Sequence, residues 1–297
     1  MRMNSARLVY DSTLEHDLIS CTALINGYSL ERSSSREASE LFSQIDRMGL
    51  GVDNVILSSM LNICANMASL SSGRQIHARA LKSQSDHDVA FGNALIDMYG
   101  KSGELEDARR VFSEMQHKDV ISWTSMIVNY GKHGHGNVAI TLYEKMEDHG
   151  VKPNDVTYLS LLFACSHSGL TTKGLKVFNS MVSRQGIHPR AEHYSCVIDL
   201  LARGGLLEEA YDLACNMDVK PNKSLWGAML GACRIHGNTF LGEVSAGYLF
   251  GMDPDLSVNY VVLANMYAAA GLWQDAWKTR KLLEQNSTKK FAGYSLV

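Results

Sequence analysis

The sequence predicts an all-α protein, a right-handed superhelical α-solenoid built from antiparallel helical hairpins. A pattern of apolar residues recurs along the chain, and its copies begin at positions 22, 58, 93, 124, 159, 195, 227 and 261. Apolar residues have helical spacing on both sides of a turn in each copy. Only four prolines occur among 297 residues, which also favours helix. One hairpin of this size cannot bury its apolar face, whereas stacked neighbours can, so the pattern indicates a solenoid.

The copies define the order of the predicted elements. Residues 1–17 match only the second half of a copy, which indicates the tail of a truncated short repeat. Repeats are then predicted at 18–53, 54–88, 89–119, 120–154, 155–190 and 191–222. Of these, 54–88 and 155–190 are long, whereas 89–119 and 191–222 are short. Two further helical hairpins are predicted at 223–256 and 257–297.

Small residues recur at two positions of the pattern. A glycine stands where the first helix is expected to end, at Gly103, Gly134, Gly169, Gly205, Gly237 and Gly271. Five residues later a small residue is expected to let two helices approach closely, at Gly73, Ala108, Ala139, Gly174, Ala210, Gly242 and Ala276. Pro153, Pro189 and Pro221 each stand one residue before a repeat ends, where they are predicted to stop the second helix.

Composition excludes several classes of function. The net charge of -3 argues against a protein that coats DNA by bulk charge. No apolar run approaches the length of a membrane span, and the first residues have neither a signal peptide nor the length of a transit peptide. We therefore expect no membrane partner and no targeting peptide in this chain.

The six cysteines do not suggest a metal site or a cofactor. Cys64, Cys165 and Cys233 share one position of the pattern in three different units, and no CxxC occurs. They are interpreted as buried free thiols. No Ser/His/Asp set, phosphate loop or paired carboxylate recurs with usable spacing, so an enzyme is not expected.

Several phrases of the sequence resemble the pentatricopeptide repeat family over nearly the whole chain. They are "GNALIDMYGKSGELEDARRVF", "DVISWTSMI", "GVKPNDVTYLSLLFACSHSGL" and "HYSCVIDLLARGGLLEEA". The W-x2-LG-x2-Y signature of tetratricopeptide repeats is missing, and HEAT and armadillo repeats are longer. The mixture of repeat lengths is similar to the plant PLS-type subclass.

The C-terminal units resemble the extension (E) motifs of organellar RNA-editing factors, through "SLWGAMLGACRIHGN" and "NYVVLANMYAAAGLWQDAWKTRKLL". The ending "KKFAGYSLV" resembles the K-x-PG-x-SWI ending of such proteins, but Ala292 replaces the proline and Leu296 the tryptophan. Some relatives add a zinc deaminase domain with an H-x-E…P-C-x-x-C signature. No proline here is followed by cysteine, so no deaminase chemistry is expected from this chain.

The resemblance implies that two residues of each repeat read one RNA base. The implied pairs are Thr22/Asp53, Ser58/Asp88, Asn93/Asp119, Thr124/Asn154 and Ser195/Asn222, while Leu159/Arg190 departs from any usable pair. By the code of the family, these pairs would recognise the RNA sequence 5′-G-(G)-U-A-N-A-3′. The alternative is that an Asp is favoured at these places because it lies exposed at a helix end, and this partly explains the polar pairs without base reading.

Two other sets of side chains are expected to contact the RNA. The resemblance places Ile19, Val55, Ile121 and Val156 against base faces, with Ala90 and Glu192 as departures. Lys101, Lys132 and Arg203 share a position two residues before the turn glycine, which suits a row of phosphate contacts. Ordinary solvated cations are the alternative.

The resemblance implies a sequence-specific single-stranded RNA-binding protein that recognises C-to-U editing sites in organellar transcripts and recruits a deaminase in trans. The implied partners are single-stranded organellar RNA, a deaminase-bearing pentatricopeptide repeat protein and multiple organellar RNA editing factors. The implied location is the mitochondrion, with the chloroplast as the alternative. Two other functions stay open, namely an RNA stability, splicing or translation factor without an editing role, and a protein-binding helical-repeat scaffold.

Overall fold

The computed structural model describes residues 2–13, 16–30, 35–49, 51–82 and 88–286, and within these ranges it contains helices and no strand. The helices are α1 Arg2–Asp11, α2 Leu18–Leu30, α3 Ser35–Arg47, α4 Asn54–Asn66, α5 Leu70–Lys82, α6 Val89–Lys101, α7 Leu105–Glu114, α8 Val120–Lys132, α9 Gly136–Asp148, α10 Asp155–His167, α11 Thr171–Ser183, α12 Ala191–Arg203, α13 Leu207–Asn216, α14 Lys223–His236, α15 Thr239–Met252, α16 Ser257–Ala269 and α17 Trp273–Asn286. The predicted all-α fold is confirmed. The predicted C-terminal phrase at 289–297, with Ala292 and Leu296, lies outside the described residues.

The even-numbered helices from α2 to α16 are the first helices of the predicted repeats, and each begins at the first residue of one. The described residues fall into two compact bodies. The N-terminal body comprises those up to 133 and 138–153, and the C-terminal body comprises 134–137 and those from 154 onward.

Within each body the first helices pack against one another in chain order. In the N-terminal body α2, α4, α6 and α8 form this row, and α3, α5 and α7 each pack between two of its members. In the C-terminal body α10, α12, α14 and α16 form the row, with α11, α13 and α15 in the same relation to it. The core of each body lies along its row of first helices. The fully buried side chains there include Ile56, Ile96 and Met126 in the N-terminal body and Leu161 and Ile198 in the C-terminal body.

The predicted small residues lie where a second helix meets the first helix of the next repeat. A Cβ atom on Gly73 would overlap the Met98 side chain, and one on Gly174 would overlap Leu200. Gly242 stands in the same relation to Met266. The four alanines at this position are all buried. The expectation of close helix approach is therefore confirmed.

The prolines do not end the second helices, which corrects the prediction made from the sequence. Helices α9 and α11 end at Asp148 and Ser183, before Gly150 and Gly186, which adopt φ of +73° and +65°. Pro153, Pro189 and Pro221 each directly precede the N-cap residue of the next helix. The glycines with positive φ therefore end α9 and α11, and each proline belongs to the start of the helix that follows it.

The predicted turn glycines all adopt the left-handed conformation, with φ between +65° and +86°. In the repeat 54–88 this position is occupied by Ala68, the one non-glycine residue with positive φ in the described part of the chain, at +51°. A β-carbon is unfavourable in this region of backbone space. The turn after α4 is therefore strained, whereas the corresponding turn at Gly103 is not.

We predict that Ala68→Gly raises the free energy of unfolding by about 1 kcal/mol, because glycine adopts positive φ without a steric penalty. The measurement is the midpoint of thermal or urea unfolding followed by circular dichroism. Gly103→Ala is the matched control and should lower stability by a similar amount. A Cβ atom on Gly103 would meet no heavy atom of the described residues within 4 Å beyond its chain neighbours, so backbone strain alone is at issue there. Equal midpoints for Ala68→Gly and wild type would contradict the strain at Ala68.

Candidate nucleic-acid interface

The second residue of each implied reading pair is also the N-cap of the helix that follows it. The side-chain oxygens of Asp53, Asp88, Asp119, Asn154 and Asn222 accept the backbone N–H three residues later, at 2.9, 2.7, 2.8, 2.9 and 3.0 Å. All five have extended backbones, as N-caps do. The helix-end alternative raised by the sequence thus describes a real structural role of these residues.

Capping uses one of the two terminal atoms of each Asp or Asn side chain, and the second terminal atom takes no part in the cap. In all five residues the bonded atom is Oδ1, and no hydrogen bond between described residues uses the second terminal atom. A backbone N–H can only donate, so the atom facing it in Asn154 and Asn222 is the amide oxygen. The aspartates therefore present a carboxylate oxygen, which accepts, and the asparagines present an amide nitrogen, which donates.

The first residues of the pairs lie on the first helices and are half-buried or buried. The hydroxyls of Thr22, Ser58 and Ser195 donate to the backbone oxygens four residues earlier, at 2.6, 2.7 and 2.8 Å. A hydroxyl has one proton, so these bonds leave lone pairs for other contacts. At these three positions the side chain offers mainly an acceptor.

Two of the implied pairs are in direct contact. Asn93 Nδ2 donates to Asp119 Oδ1 at 3.2 Å, and Ser195 Oγ lies 3.2 Å from Asn222 Oδ1. No hydrogen bond between described residues joins Thr22 to Asp53 or Ser58 to Asp88. Thr124 and Asn154 belong to different bodies, and their pairing stays a prediction.

Asp119 is the most heavily bonded of the five caps. Its Oδ1 accepts the backbone N–H and the hydroxyl of Ser122 as well as the amide of Asn93. Burial by itself would raise the pKa of this carboxyl, but the hydrogen bonds from Ser122 and Asn93 together lower it. Asp119 is therefore an ionised acceptor at neutral pH. Asn93 is 9% exposed, and its Oδ1 is buried with no partner among the described residues.

The predicted stacking residues are exposed apolar side chains on the second residue of each first helix. Their exposed fractions are 79% for Ile19, 52% for Val55, 57% for Ile121 and 47% for Val156. Ala90 and Glu192 are exposed at the same position. Apolar side chains so placed are available for contact with a flat base.

The predicted phosphate row is partly occupied by acidic partners. Lys101 Nζ lies 2.7 Å from Asp97, and Arg203 Nε lies 2.8 Å from Asp199, one turn earlier on the same helix. Lys132 has Val128 at the corresponding place, and no ion pair forms there among the described residues. Exposed pairs of this kind are weak, so phosphate could displace the acids. The phosphate contacts stay a prediction.

The repeat with the unusable pair has a different junction. Arg190 occupies the N-cap position of α12 and forms an ion pair with Asp155 at 2.6 Å. No side chain of the described residues caps this helix, and His193 instead accepts the N–H of Arg190 itself at 3.1 Å. Leu159 is half-buried. This repeat thus presents a cation and an apolar side chain where its neighbours present neutral or acidic groups.

Sequence reasoning missed the hydroxyls that support two of the caps. Ser122 and Thr157 form reciprocal capping boxes with Asp119 and Asn154. The spacing D-x-x-S at 119–122 and N-x-x-T at 154–157 resembles the S/T-x-x-E capping signal and could have indicated them.

The last two hairpins have no polar residue at the first reading position, which is Gly227 in one and Val261 in the other. They instead expose large aromatic side chains. Trp273 and Trp277 are 70% and 63% exposed, one turn apart on α17, and Lys281 Nζ lies 5.1 Å from the Trp277 ring centre. This Trp273–Trp277–Lys281 face differs from the reading surfaces of the repeats.

The interpretation of the cysteines as buried free thiols is confirmed for Cys21, Cys64, Cys165 and Cys233. It is wrong for Cys215, which is exposed, and Cys196 is half-buried. Burial raises the pKa of Cys64, Cys165 and Cys233 to about 11. No cluster of three His, Cys, Asp or Glu side chains within the described ranges could hold a metal ion. None of the described helices is both long and apolar enough to span a membrane.

The chain is similar to many plant proteins of one family. A pentatricopeptide repeat-containing protein of Arabidopsis thaliana is 52% identical over 293 residues, which cover 97% of this chain and 52% of the relative. Two others from the same plant, labelled mitochondrial and chloroplastic, are 39% and 38% identical and are covered over 44% and 34% of their lengths. The chain spans about half the length of the first of these relatives and less of the other two.

Solved structures show the same fold. The match to the pentatricopeptide repeat protein PPR10 from maize covers 92% of this chain and 40% of the PPR10 chain, with a TM-score of 0.56 and 19% sequence identity. The match to PPR10 in complex with an 18-nt psaJ RNA element covers 93% of this chain and 47% of the PPR10 chain, with a TM-score of 0.60 and 16% sequence identity.

Family models describe most of the chain beyond residue 92. The PPR repeat model matches residues 93–120, 156–185 and 192–220, the PPR repeat family model matches 118–167, and the E motif model matches 236–297. None of these models is that of an enzyme. The chain belongs to the pentatricopeptide repeat family and carries the E motif at its C-terminal end.

Proposed function

We propose that this chain binds single-stranded RNA in a sequence-specific manner, with one base per repeat. The observation that carries the proposal is the fixed polarity of the caps. Five repeat junctions each turn one terminal atom of Asp or Asn into the helix and leave an atom of known hydrogen-bonding character outside it. The solved complex of PPR10 with an RNA element, a protein of the same fold, supports the proposal.

The outward atoms of the caps have the hydrogen-bonding character that complements the Watson–Crick edges of the bases. Guanine and uracil carry a ring N–H donor on their Watson–Crick edge, whereas adenine and cytosine carry a ring nitrogen acceptor. The outward oxygens of Asp53, Asp88 and Asp119 therefore suit guanine or uracil. The outward amide nitrogens of Asn154 and Asn222 suit adenine or cytosine. The first residue of each pair then selects between purine and pyrimidine, and the combined assignment is 5′-G-(G)-U-A-N-A-3′.

Stacking and charge would add affinity without sequence preference. A base against Ile19, Val55, Ile121 or Val156 would gain up to about 1–3 kcal/mol by analogy with other single-strand binders. Lys101, Lys132 and Arg203 would contact phosphates, with Lys101 and Arg203 first leaving their acidic partners. Because two of the three cations have acidic partners, base contacts and stacking have to contribute much of the affinity.

We further propose that the protein marks C-to-U editing sites in mitochondrial or chloroplast transcripts and recruits a deaminase in trans. The E motif and the organellar labels of the relatives support this role. The Trp273–Trp277–Lys281 face is the surface that we assign to a deaminase-bearing pentatricopeptide repeat protein or a multiple organellar RNA editing factor. A protein-binding scaffold is the second candidate, favoured by the acidic partners of Lys101 and Arg203.

We predict that Asn93→Thr shifts the preferred base of the repeat 89–119 from uracil to guanine. The variant replaces an amide by a hydroxyl beside the unchanged Asp119 carboxylate, so the partner groups facing the base change. The measurement is filter binding to single-stranded RNAs that differ only at this base. The mismatched base should bind roughly five- to 150-fold more weakly, the cost of leaving one polar group unpaired.

RNAs that vary at the base assigned to Ser195 and Asn222 serve as the control, since that repeat is unchanged. A uniform loss of affinity for every RNA would contradict base reading by Asn93. Failure of the wild-type protein to bind single-stranded RNA at all would favour the scaffold function.

We predict that the purified chain leaves cytidine in RNA unchanged and supports its conversion when a deaminase-bearing partner is added. Replacing Trp273 and Trp277 by alanine should abolish this support, because two large exposed side chains of the partner face are lost. The measurement is sequencing of the RNA after incubation. RNA affinity of the double variant is the internal control and should be unchanged. Full editing by the double variant would remove this face from the proposal.

A further inference from the structure

Two buried hydroxyls lie behind the proposed base-reading atoms. Ser122 Oγ donates to Asp119 Oδ1 at 2.9 Å and accepts the Asp119 N–H at 3.2 Å. Thr157 Oγ1 stands in the same relation to Asn154, at 2.9 and 3.3 Å. Both side chains are 0% exposed, so neither hydroxyl can contact RNA. They can act on a base only through the capping residue.

The direction of these hydrogen bonds is fixed by chemistry. A backbone N–H can only donate, so each hydroxyl oxygen accepts it, and the hydroxyl proton goes to Oδ1. The same Oδ1 also accepts the backbone N–H of residue 122 or 157, at 2.8 and 2.9 Å. Two donors thus converge on one oxygen and hold the side chain in one orientation. The two carboxylate oxygens of Asp119 are equivalent, so there the donors fix where the outward oxygen lies. At Asn154 they also fix which atom is outward, because turning the amide nitrogen inward would break both bonds. For Asn154 an inward amide nitrogen would also meet two donors.

At the other three caps, the third residue of the helix supplies no such hydroxyl. The residues at the corresponding place after Asp53, Asp88 and Asn222 are Ile56, Phe91 and Leu225, whose side chains cannot donate. Among the hydrogen bonds that join described residues, the inward oxygen at these caps accepts one backbone N–H, and at Asn222 it also accepts the hydroxyl that Ser195 shares with the Ala191 backbone oxygen. The orientation of the outward atom is therefore held more firmly at Asp119 and Asn154 than at the first two caps.

We propose that Ser122 and Thr157 are positioning residues for base recognition, which sharpen the discrimination at Asp119 and Asn154 by fixing the position of the outward atom and, at Asn154, its identity. The inference rests on the proposed base-reading function. The hydroxyl lowers the freedom of the reading side chain to rotate, so a mismatched base cannot be accommodated by reorienting it. The repeats 18–53 and 54–88, whose caps Asp53 and Asp88 are followed by Ile56 and Phe91, read their bases less strictly.

The test is base discrimination by the full chain carrying Ser122→Ala, Ser122→Thr or Thr157→Val. Affinities are measured for single-stranded RNAs that differ only at the base assigned to Asp119 or to Asn154. Ser122→Ala should lower the ratio of affinities for the preferred and other bases about fivefold, the worth of one hydrogen bond. Ser122→Thr keeps the hydroxyl and should retain the ratio. Thr157→Val should lower the ratio at the Asn154 base by a similar factor.

Ser160→Ala is the matched control. Its buried hydroxyl lies on the same helix as Thr157 but donates to the Val156 backbone oxygen at 2.7 Å, away from any cap, so discrimination should not change. Circular dichroism reports whether each variant is folded, and Thr157→Val decides the question if Ser122→Ala does not fold. A wild-type preference that survives Ser122→Ala and Thr157→Val undiminished overturns the inference alone. A wild-type protein with no preference at these bases overturns base reading, and the inference with it.

Discussion

One hydrogen bond, from a backbone N–H at the start of a first helix to the side chain at the end of the preceding repeat, determines the geometry of the candidate interface. The first turn of every helix has N–H groups without intrahelical partners, and an Asp or Asn satisfies one of them at five junctions. In the N-terminal body the Asp119 carboxylate caps α8 and also accepts from Asn93 on α6. A single side chain thus ties two neighbouring first helices together at the point where a base would bind.

The repeating parts of the fold could be predicted from the sequence because they depend on local rules. A glycine that must adopt positive φ and a small residue between two helices leave the same mark in every copy. The prolines were misassigned because a proline between two helices is compatible with the end of one and with the start of the next. Ala68 adopts the left-handed conformation although its residue type argues against it, and the same turn occurs at a glycine in six other copies of the pattern.

The candidate site was less predictable because its important features are relations between side chains. Sequence spacing placed Lys101 and Arg203 in a row but did not show that Asp97 and Asp199 would pair with them. The family resemblance implied that Asp119 reads a base, but it did not indicate that three donors meet at one of its oxygens. Such partnerships follow from how neighbouring turns and helices present their groups, which the resemblance to a family does not specify residue by residue.

The caps also explain how one scaffold could serve many RNA targets. Asp and Asn have nearly the same shape, and both accept a backbone N–H through the same oxygen, so exchanging one for the other leaves the start of the helix intact. The exchange nevertheless turns an outward acceptor into an outward donor. If the caps read bases as proposed, a change of one side-chain group at a junction would alter the recognised base while the fold stays the same, and a family built in this way would acquire new targets one nucleotide at a time.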